Sequence, residues 1–372
     1  MTEKIKVGIV GLGFGAEFIP IYQNHPHAEM YAICQRNEQV LNTFGDHFQI
    51  PVRYTSYEEM LQDPSLDAVH INTPIPNHAE HAIAALLAGK HVACTVPMAA
   101  SIEDCCRIIE AQQASGKSYM MMETAVFSRE FLYIKSLHES GELGRIQFLR
   151  GSHHQNMEGW PGYWEGLPPM HYSSHAIGPL LALAGKDAEM VTCMGSGQIA
   201  EHLAAKYGSP YAVESALFKL EDSDLAAEVT RSLFQTAREY LESFDVYAEH
   251  MSFEWRRLDQ ENPFLFRGDQ GRHAEIPDFD FLLPEGIRAY ASGCLNDLDE
   301  HRELGLKRRS SHGGSHPHMA HEFISSIAEN RQPFPDVFTA ANWTAAGLCA
   351  HESALRGGEP VRLPFEIRRR KA

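Results

Sequence analysis

Lys6-Val7-Gly8-Ile9-Val10-Gly11-Leu12-Gly13-Phe14-Gly15-Ala16 decides how the rest of this chain is read. A β-prone apolar run passes straight into Gly-x-Gly-x-x-Ala, and a helical pattern over 14–24 follows. In such a turn Gly11 permits the tight reversal and Gly13 lets a pyrophosphate approach the backbone. Ala16 is small enough for the helix to lie close on the strand. The helix start then offers unpaired N–H groups to anionic phosphates. A turn of purely structural use is the competing explanation. The position directly after the first strand favours a dinucleotide, with Gly11, Leu12, Gly13, Phe14, Gly15 and Ala16 as its contacts.

Outward from that turn, strands alternate with helices. Strands are expected at 28–34, near 52–54, at 67–72, 91–94 and 119–123. Helices are expected at 37–47, 56–62, 79–88 (with Asn77 as N-cap) and 101–115. This is the pattern of an α/β, doubly wound parallel sheet. Gln35-Arg36 follows the second strand, where an acidic residue usually holds the adenosine ribose. Gln35 can bond a ribose without repelling a 2′-phosphate, and Arg36 attracts one, so NAD is expected with NADP left open. Met120-Met121-Met122 reads as core filling.

The pattern changes near residue 124, which divides the chain into 1–124 and 125–372. A helix over 129–140, a strand over 145–155 and the aromatic loop Trp160–Trp164 lead to a helix beginning near His171. Alternating stretches at Met190–Gly197, Ala212–Leu220, Ala226–Gln235 and Ser243–Arg256 predict an open, largely antiparallel sheet. Helices over 317–330 and 339–356 complete an α+β unit. The stretch 258–311 reads as a long ordered loop or an oligomer contact, and Arg368–Lys371 as a solvated tail.

A net charge of −17 argues against nucleic acid and anionic membrane as partners. No apolar run approaches a membrane span and no signal-peptide pattern is found. The seven cysteines are scattered and lack a Cys-x-x-Cys pair, which predicts reduced thiols and a cytoplasmic setting.

The order of these elements resembles the Gfo/Idh/MocA oxidoreductase family. The residues that carry it are the glycine turn, Thr73-Pro74 with Asn77-His78, Gly89-Lys90-His91-Val92, Pro97 and Gly141-Glu142-Leu143-Gly144, with Phe323–Asp336 near the end. The resemblance implies an N-terminal Rossmann domain that binds NAD. It adds Thr73, Pro74, Asn77, His78, Thr95, Val96 and Pro97 to the cofactor side, and implies a homodimer or homotetramer. Ordinary dehydrogenases of that family carry Glu-Lys-Pro where this chain has Thr95-Val96-Pro97, so their proton-handling lysine is absent. Their aspartate four residues before the histidine is His171 here, with His175 in the histidine place. The chain is more similar to the NAD-dependent glycosidases of glycoside hydrolase family 109, at Val96-Pro97, Met122-Glu123, Tyr172-x-x-His175-x-x-Gly178-Pro179 and His312-Gly313-Gly314.

Tyr172 and His175, three apart, share a face if they lie on one helix. They are the catalytic candidates. His175 would take the proton of a sugar C3 hydroxyl during hydride transfer, and Tyr172 the C2 proton that the resulting ketone acidifies. Tyr172, with an ordinary phenol pKa of about 10, needs an activating neighbour. Glu123, His153, His154, Trp160, Trp164, His171 and His312 are candidate substrate contacts. His153 and His154 alternate on a strand, so at most one of them faces the site. A metal site of His171, His175 and His153 or His154 is set aside in favour of histidines bonding a polyhydroxylated substrate. The expected function is redox-neutral glycoside cleavage by an NAD-dependent carbohydrate enzyme. A plain sugar or inositol dehydrogenase and a non-catalytic cofactor-binding sensor are the alternatives.

Overall fold

Six strands, Ile5–Val10 (β1), Ala28–Cys34 (β2), Val52–Tyr54 (β3), Ala68–Ile71 (β4), His91–Thr95 (β5) and Tyr119–Met122 (β6), pair in the order β3-β2-β1-β4-β5-β6. Every pairing is parallel. Strands β4 and β6 are covered on both faces: all four residues of β4, His70 included, and of β6, with its methionine run, are buried. The computed structural model describes residues 3–238, 240–258, 260–291 and 312–367.

The side chains of Asn37 and Ser56 cap their helices by accepting from Val40 N and Glu59 N. Asn77 does not. It ends a 3-10 turn (Ile75–Asn77) in a helical backbone conformation, so its side chain makes no cap bond to the helix His78–Leu87. The Gly89-Lys90 pair is structural. Lys90 is buried, and its ammonium donates to Asp63 O at 2.7 Å and Leu66 O at 2.8 Å, tying the entry of β4 to β5.

Contacts group Met1–Ala99, Glu103–Arg129 and Asp278–Ala340 into one compact unit, and Ala100–Ile102, Glu130–Pro277 and Ala341–Ala372 into another. The sequence reading drew a single boundary at 124/125. The difference lies in 278–291 and 312–340, whose apolar residues serve the parallel-sheet unit. Ile287, Met319, Phe323 and Ile324 share its core with Phe18, Ile19 and Tyr22. The helix Ser315–Ala328 therefore buries its apolar face against the helical segment that follows the glycine turn.

The second unit holds Ile146–Gln155 (β7), Ala188–Ser196 (β8), Val213–Leu220 (β9), Ala226–Ser232 (β10), Tyr240–Ala248 (β11), Ser252–Glu254 (β12), Phe264–Arg267 (β13), Gln270–His273 (β14) and Val361–Arg362 (β15). Their order is β14-β13-β12-β11-β7-β10-β9-β8-β15. β7 and β10 run parallel, and the other described pairs are antiparallel. The stretch expected as one strand, Ser243–Arg256, is two, because the chain reverses to pair Val246 with Phe253. Much of 258–291 is ordered structure, the β13–β14 hairpin and a short helix Glu285–Arg288; 292–311 and Arg368–Lys371 lie outside the described residues. The helix Ser174–Ala184 lies directly on β7 at Gly151, where a Cβ would sit 2.5 Å from Ala176 O. Among the described residues no helix is long and apolar enough to cross a membrane.

Candidate functional site

Two sets of residues carry chemistry, one in each unit. In the parallel-sheet unit the cofactor candidates all sit where strands end. Gly11–Ala16 follows β1, Gln35-Arg36 follows β2, Thr73–His78 follows β4, and Thr95–Pro97 ends and follows β5. With the strand order β3-β2-β1-β4-β5-β6 these are the carboxyl ends flanking the point where the winding reverses, the place where such sheets bind nucleotides.

The glycines divide the work. Gly11 has φ +88°, and a Cβ there would lie 2.4 Å from Asn72 O, so the turn needs it to be glycine for the fold itself. Gly15 is shut in as well, with Ile9 Cγ2 at 2.8 Å from its would-be Cβ. At Gly13 a Cβ would meet no atom of the described residues within 4 Å apart from its chain neighbours, and the residue is exposed. Among the described residues nothing in the fold requires glycine at 13. An uncrowded backbone beside a closed turn is what an incoming pyrophosphate requires. The helix after the turn begins as a 3-10 turn, Gly15–Phe18, before Ile19–Asn24 becomes α-helical.

Within the cofactor set, the side chains of Leu12 and Ala16 are buried, which leaves their backbone to face a ligand. His78 does not fit the role the resemblance gave it. It is buried, with Nδ1 2.8 Å from Pro97 O and Nε2 2.8 Å from Thr73 O, so it braces the turn after β4 against the turn after β5. Burial holds its pKa down, while the two carbonyls push the other way. Thr73 Oγ1 is engaged by His81 Nδ1 at 3.0 Å. Asn77 and Arg36 are exposed, Gln35 and Thr95 half-buried, and Val96 and Pro97 buried. Glu123 is buried, and its Oε1 caps the 3-10 turn Thr124–Phe127 through Ala125 N at 3.1 Å. His312 lies in this unit, its ring 5.9 Å from Phe14 of the glycine turn and 5.5 Å from His316.

In the sheet unit the structure brings Tyr172 and His175 together. They do not share one helix: Tyr172 ends the 3-10 turn Pro169–Tyr172, and His175 is the second residue of the α-helix after it. The step between the two helical pieces still places Tyr172 Oη 3.2 Å from His175 Nε2. His175 Nδ1 faces Glu242 Oε1 at 3.8 Å, and Glu242 Oε2 accepts from Tyr240 Oη at 2.6 Å. Beneath them lies His153, its ring 5.2 Å from that of His175 and 6.3 Å from that of Tyr172. Trp164 is buried and sets its edge on Tyr172 at 4.7 Å between ring centroids.

The other candidates are directed elsewhere. His154 points to the opposite face of β7, where Nδ1 meets Ser232 Oγ at 2.8 Å. His171 turns away from His175 and packs on His351 at 4.9 Å; desolvation first, then the charge of His351, holds it down at about 3. Trp160 is exposed and forms one wall of a separate cavity of about 340 Å³ with Met157, Glu158, Glu165, His202 and Phe234.

Sequence reading missed the row that supports this cluster. His153 on β7 pairs in register with Arg231 on β10 and with Glu242 on β11, and Arg231 pairs with Glu214 on β9. Four ionisable residues thus form one line across four neighbouring strands. The signal was present as period-2 alternation. Val229 and Leu233 flank Arg231, and Ala216 and Phe218 follow Glu214, on faces that are otherwise apolar and buried. A charge at an inward position is rare enough to be a pointer.

Residues 5–123 match the model of the Gfo/Idh/MocA group, described as "Oxidoreductase family, NAD-binding Rossmann fold". The chain is 23% identical to an "Alpha-N-acetylgalactosaminidase" of Shewanella oneidensis over 97% of this chain and 85% of that one. A "Glycosyl hydrolase family 109 protein" of Shewanella baltica matches with the same identity and coverage. Among solved structures, a levoglucosan dehydrogenase in complex with NADH and levoglucosan superposes with a TM-score of 0.78 at 20% identity, covering 97% of this chain and all of that one. An NAD binding oxidoreductase from Klebsiella pneumoniae superposes with a TM-score of 0.79 at 16% identity, over 97% and 99%.

Proposed function

We propose, from the premise that residues 5–123 carry the NAD-binding Rossmann fold of the Gfo/Idh/MocA oxidoreductases, that this chain acts on carbohydrates and cleaves a glycoside by a redox-neutral route. The observation that carries the reading is the Tyr172–His175–Glu242 line: a phenol 3.2 Å from an imidazole whose other nitrogen faces a carboxylate at 3.8 Å. The relatives named for glycoside hydrolysis support it, and so does the absence of the lysine expected of ordinary dehydrogenases at Val96.

Bound NAD would be held at Gly11–Ala16 and at the turns after β2, β4 and β5, and its nicotinamide supplies a reversible hydride acceptor for the sugar C3. His175 takes the C3 hydroxyl proton as C3 becomes a ketone; imidazole is the side chain whose unperturbed pKa lies nearest neutrality. The ketone acidifies the C2 hydrogen. Tyr172, as phenolate, accepts that proton, the C2 electron pair forms a C1–C2 double bond, and the C1–O bond to the leaving group breaks. The leaving oxygen takes up a proton from solvent and departs as an alcohol. Water then adds its oxygen to C1 and gives one proton back to solvent, Tyr172 returns its proton to C2, and His175 returns its proton to the C3 oxygen as the ketone is reduced. The sum is glycoside plus water giving sugar plus alcohol. No pair of carboxylates is required, as in other NAD-dependent glycosidases.

The test is a panel of α- and β-nitrophenyl glycosides given to purified protein with NAD, in deuterated water. Nitrophenol release without accumulating NADH, with deuterium at C2 of the sugar, is the expected result. NADH formed in proportion to sugar oxidised makes the chain a plain dehydrogenase. Neither product from any sugar leaves it a cofactor-binding sensor.

A further inference from the structure

Tyr172 needs something to make its phenol a proton acceptor, and histidine is the usual suspect. The structure supplies a different candidate. Arg231 is fully buried on β10, its guanidinium carbon 5.6 Å from the Tyr172 ring centroid, and its Nε donates to Tyr172 O at 2.8 Å. The rest of the fork is spent on sheet backbone and one amide: Nη1 donates to His153 O at 2.9 Å and Ser232 O at 2.5 Å, and Nη2 to Gln155 Oε1 at 3.0 Å.

Its partner in the strand register, Glu214, is also buried but forms no ion pair with it. Glu214 Oε2 instead accepts from Met170 N at 2.8 Å, and its Oε1 lies 2.6 Å from His351 Nδ1. Two neighbouring charges of opposite sign thus hold the two ends of the turn Pro169–Tyr172, one by an N–H and the other by a carbonyl. A guanidinium stripped of water, with no carboxylate in ion-pair contact among the described residues, is costly to bury. A purely apolar residue would pack the same space without that cost, so the charge itself calls for a use.

We propose that Arg231 is a positioning residue that fits Tyr172 for proton transfer, its buried charge favouring the phenolate and its Nε fixing the turn that carries it. The coupling is reciprocal: burial pulls Arg231 down to about 9, and a charged Tyr172 is foremost among the groups resisting that fall. The guanidinium remains charged at neutral pH. Among the described residues, His175 from its own segment, His153 from β7 and Tyr240 from β11 lie against Tyr172, and Glu242 of β11 lies beside His175 and Tyr240. Glu242 is held by Tyr240, whose hydroxyl donates to it, and faces the far nitrogen of His175.

This rests on the reading of Tyr172 as the proton acceptor, yet its primary test needs no substrate. Ultraviolet titration of the native protein minus that of Tyr172→Phe isolates the ionisation of this one phenol. Arg231→Met removes the charge and is expected to move that ionisation up by about one to three pH units. Arg231→Lys keeps the charge and is expected to stay within about half a unit of native. Should Arg231→Met fail to fold, Arg231→Gln retains an amide donor and serves as the uncharged arm. A folded uncharged variant titrating as native does, or a full-unit rise in Arg231→Lys, overturns the proposal. If a cleaved glycoside is found, the limb of the kcat pH profile that Tyr172 governs moves with the titration; lost activity at an unmoved pH limb also overturns it. Failure to find any glycoside defeats the proposed function and leaves the titration to be judged alone.

Discussion

The parallel-sheet unit makes its candidate site from backbone and short turns at the ends of adjacent strands, whereas the nine-stranded sheet makes its own from side chains in one line across four strands. The first depends on what is missing: the side chain absent from Gly13 and the space that absence leaves. The second depends on what is packed in, since Glu214, Arg231 and His153 are all fully buried beneath the turn that carries Tyr172. One arrangement suits a rigid ligand gripped by its phosphates; the other suits proton transfers that need tuned, oriented groups. If that division is right, damage to one unit should leave the other's property untouched.

Tyr172→Phe gives the largest separation. It deletes the hydroxyl 3.2 Å from His175 Nε2 and keeps the ring that packs on Trp164. Glycoside cleavage should fall by about 10²–10⁴, the usual worth of a positioned proton-transfer group. NAD affinity, read by fluorescence titration, should stay as in the native protein. Equal loss of both would break the comparison.

The glycine turn tests the converse, and its two glycines should part company. Gly13→Ala places a methyl where, among the described residues, no atom beyond its chain neighbours lies within 4 Å, so its melting temperature should match the native value while NAD binding weakens at least about tenfold, or ~1.4 kcal/mol. Gly11→Ala drives a Cβ to 2.4 Å from Asn72 O at a positive φ, so it should lose both stability and binding. A Gly13→Ala protein that binds NAD normally would show that the open space at residue 13 is not where the pyrophosphate goes.

The same contrast explains what could be read from the chain. The turn Gly11–Ala16 and the strands around it were legible because their conformation depends on neighbours in sequence, and local spacing reports it. Tyr172 and His175 were legible only as a pair three apart; that they sit on separate helical pieces was not. Arg231, Glu214 and Glu242 were hidden because strand register made them neighbours, and register is fixed by pairing between segments up to 89 residues apart in the case of His153 and Glu242. The role of 312–340 was obscured likewise: its helix Ser315–Ala328 looks like any amphipathic helix until Phe323 and Ile324 are seen in the core beside Phe18.

Acid should act first on the parallel-sheet unit. His25 and His70 are both fully buried there, and desolvation is the leading cause that holds each at about 3. Their folded values lie below the unfolded value of 6.5, so the unfolded chain binds the extra protons. Stability from this source is complete above pH 6.5 and falls as pH drops toward 3, by about 1.4 kcal/mol per pH unit for each histidine. Burial also lowers His78 and His316 in the same unit. Urea unfolding from pH 7.5 to 5 should therefore show a falling midpoint. His70→Gln should flatten that slope, and an unchanged slope would remove these histidines as the cause.

The smallest effect concerns the cofactor's ribose. After β2 the chain offers Gln35, Arg36 and Asn37, but Asn37 spends its side chain on the helix cap through Val40 N at 3.1 Å. Gln35 is half-buried, with its backbone tied to Tyr54 O at 3.1 Å, and Arg36 is exposed. A carboxylate at position 35 would accept from both ribose hydroxyls and repel a 2′-phosphate; an amide accepts without repelling. An exposed arginine near a phosphate is worth only about 0.3–1 kcal/mol because water and salt screen it. Arg36→Ala should thus weaken NADPH binding about two- to fivefold and leave NADH unchanged, while Gln35→Asp widens the preference for NADH. The difference should shrink at high salt, as a screened surface charge requires. NADPH affinity that ignores both the substitution and the salt would mean that the adenosine ribose does not reach the end of β2.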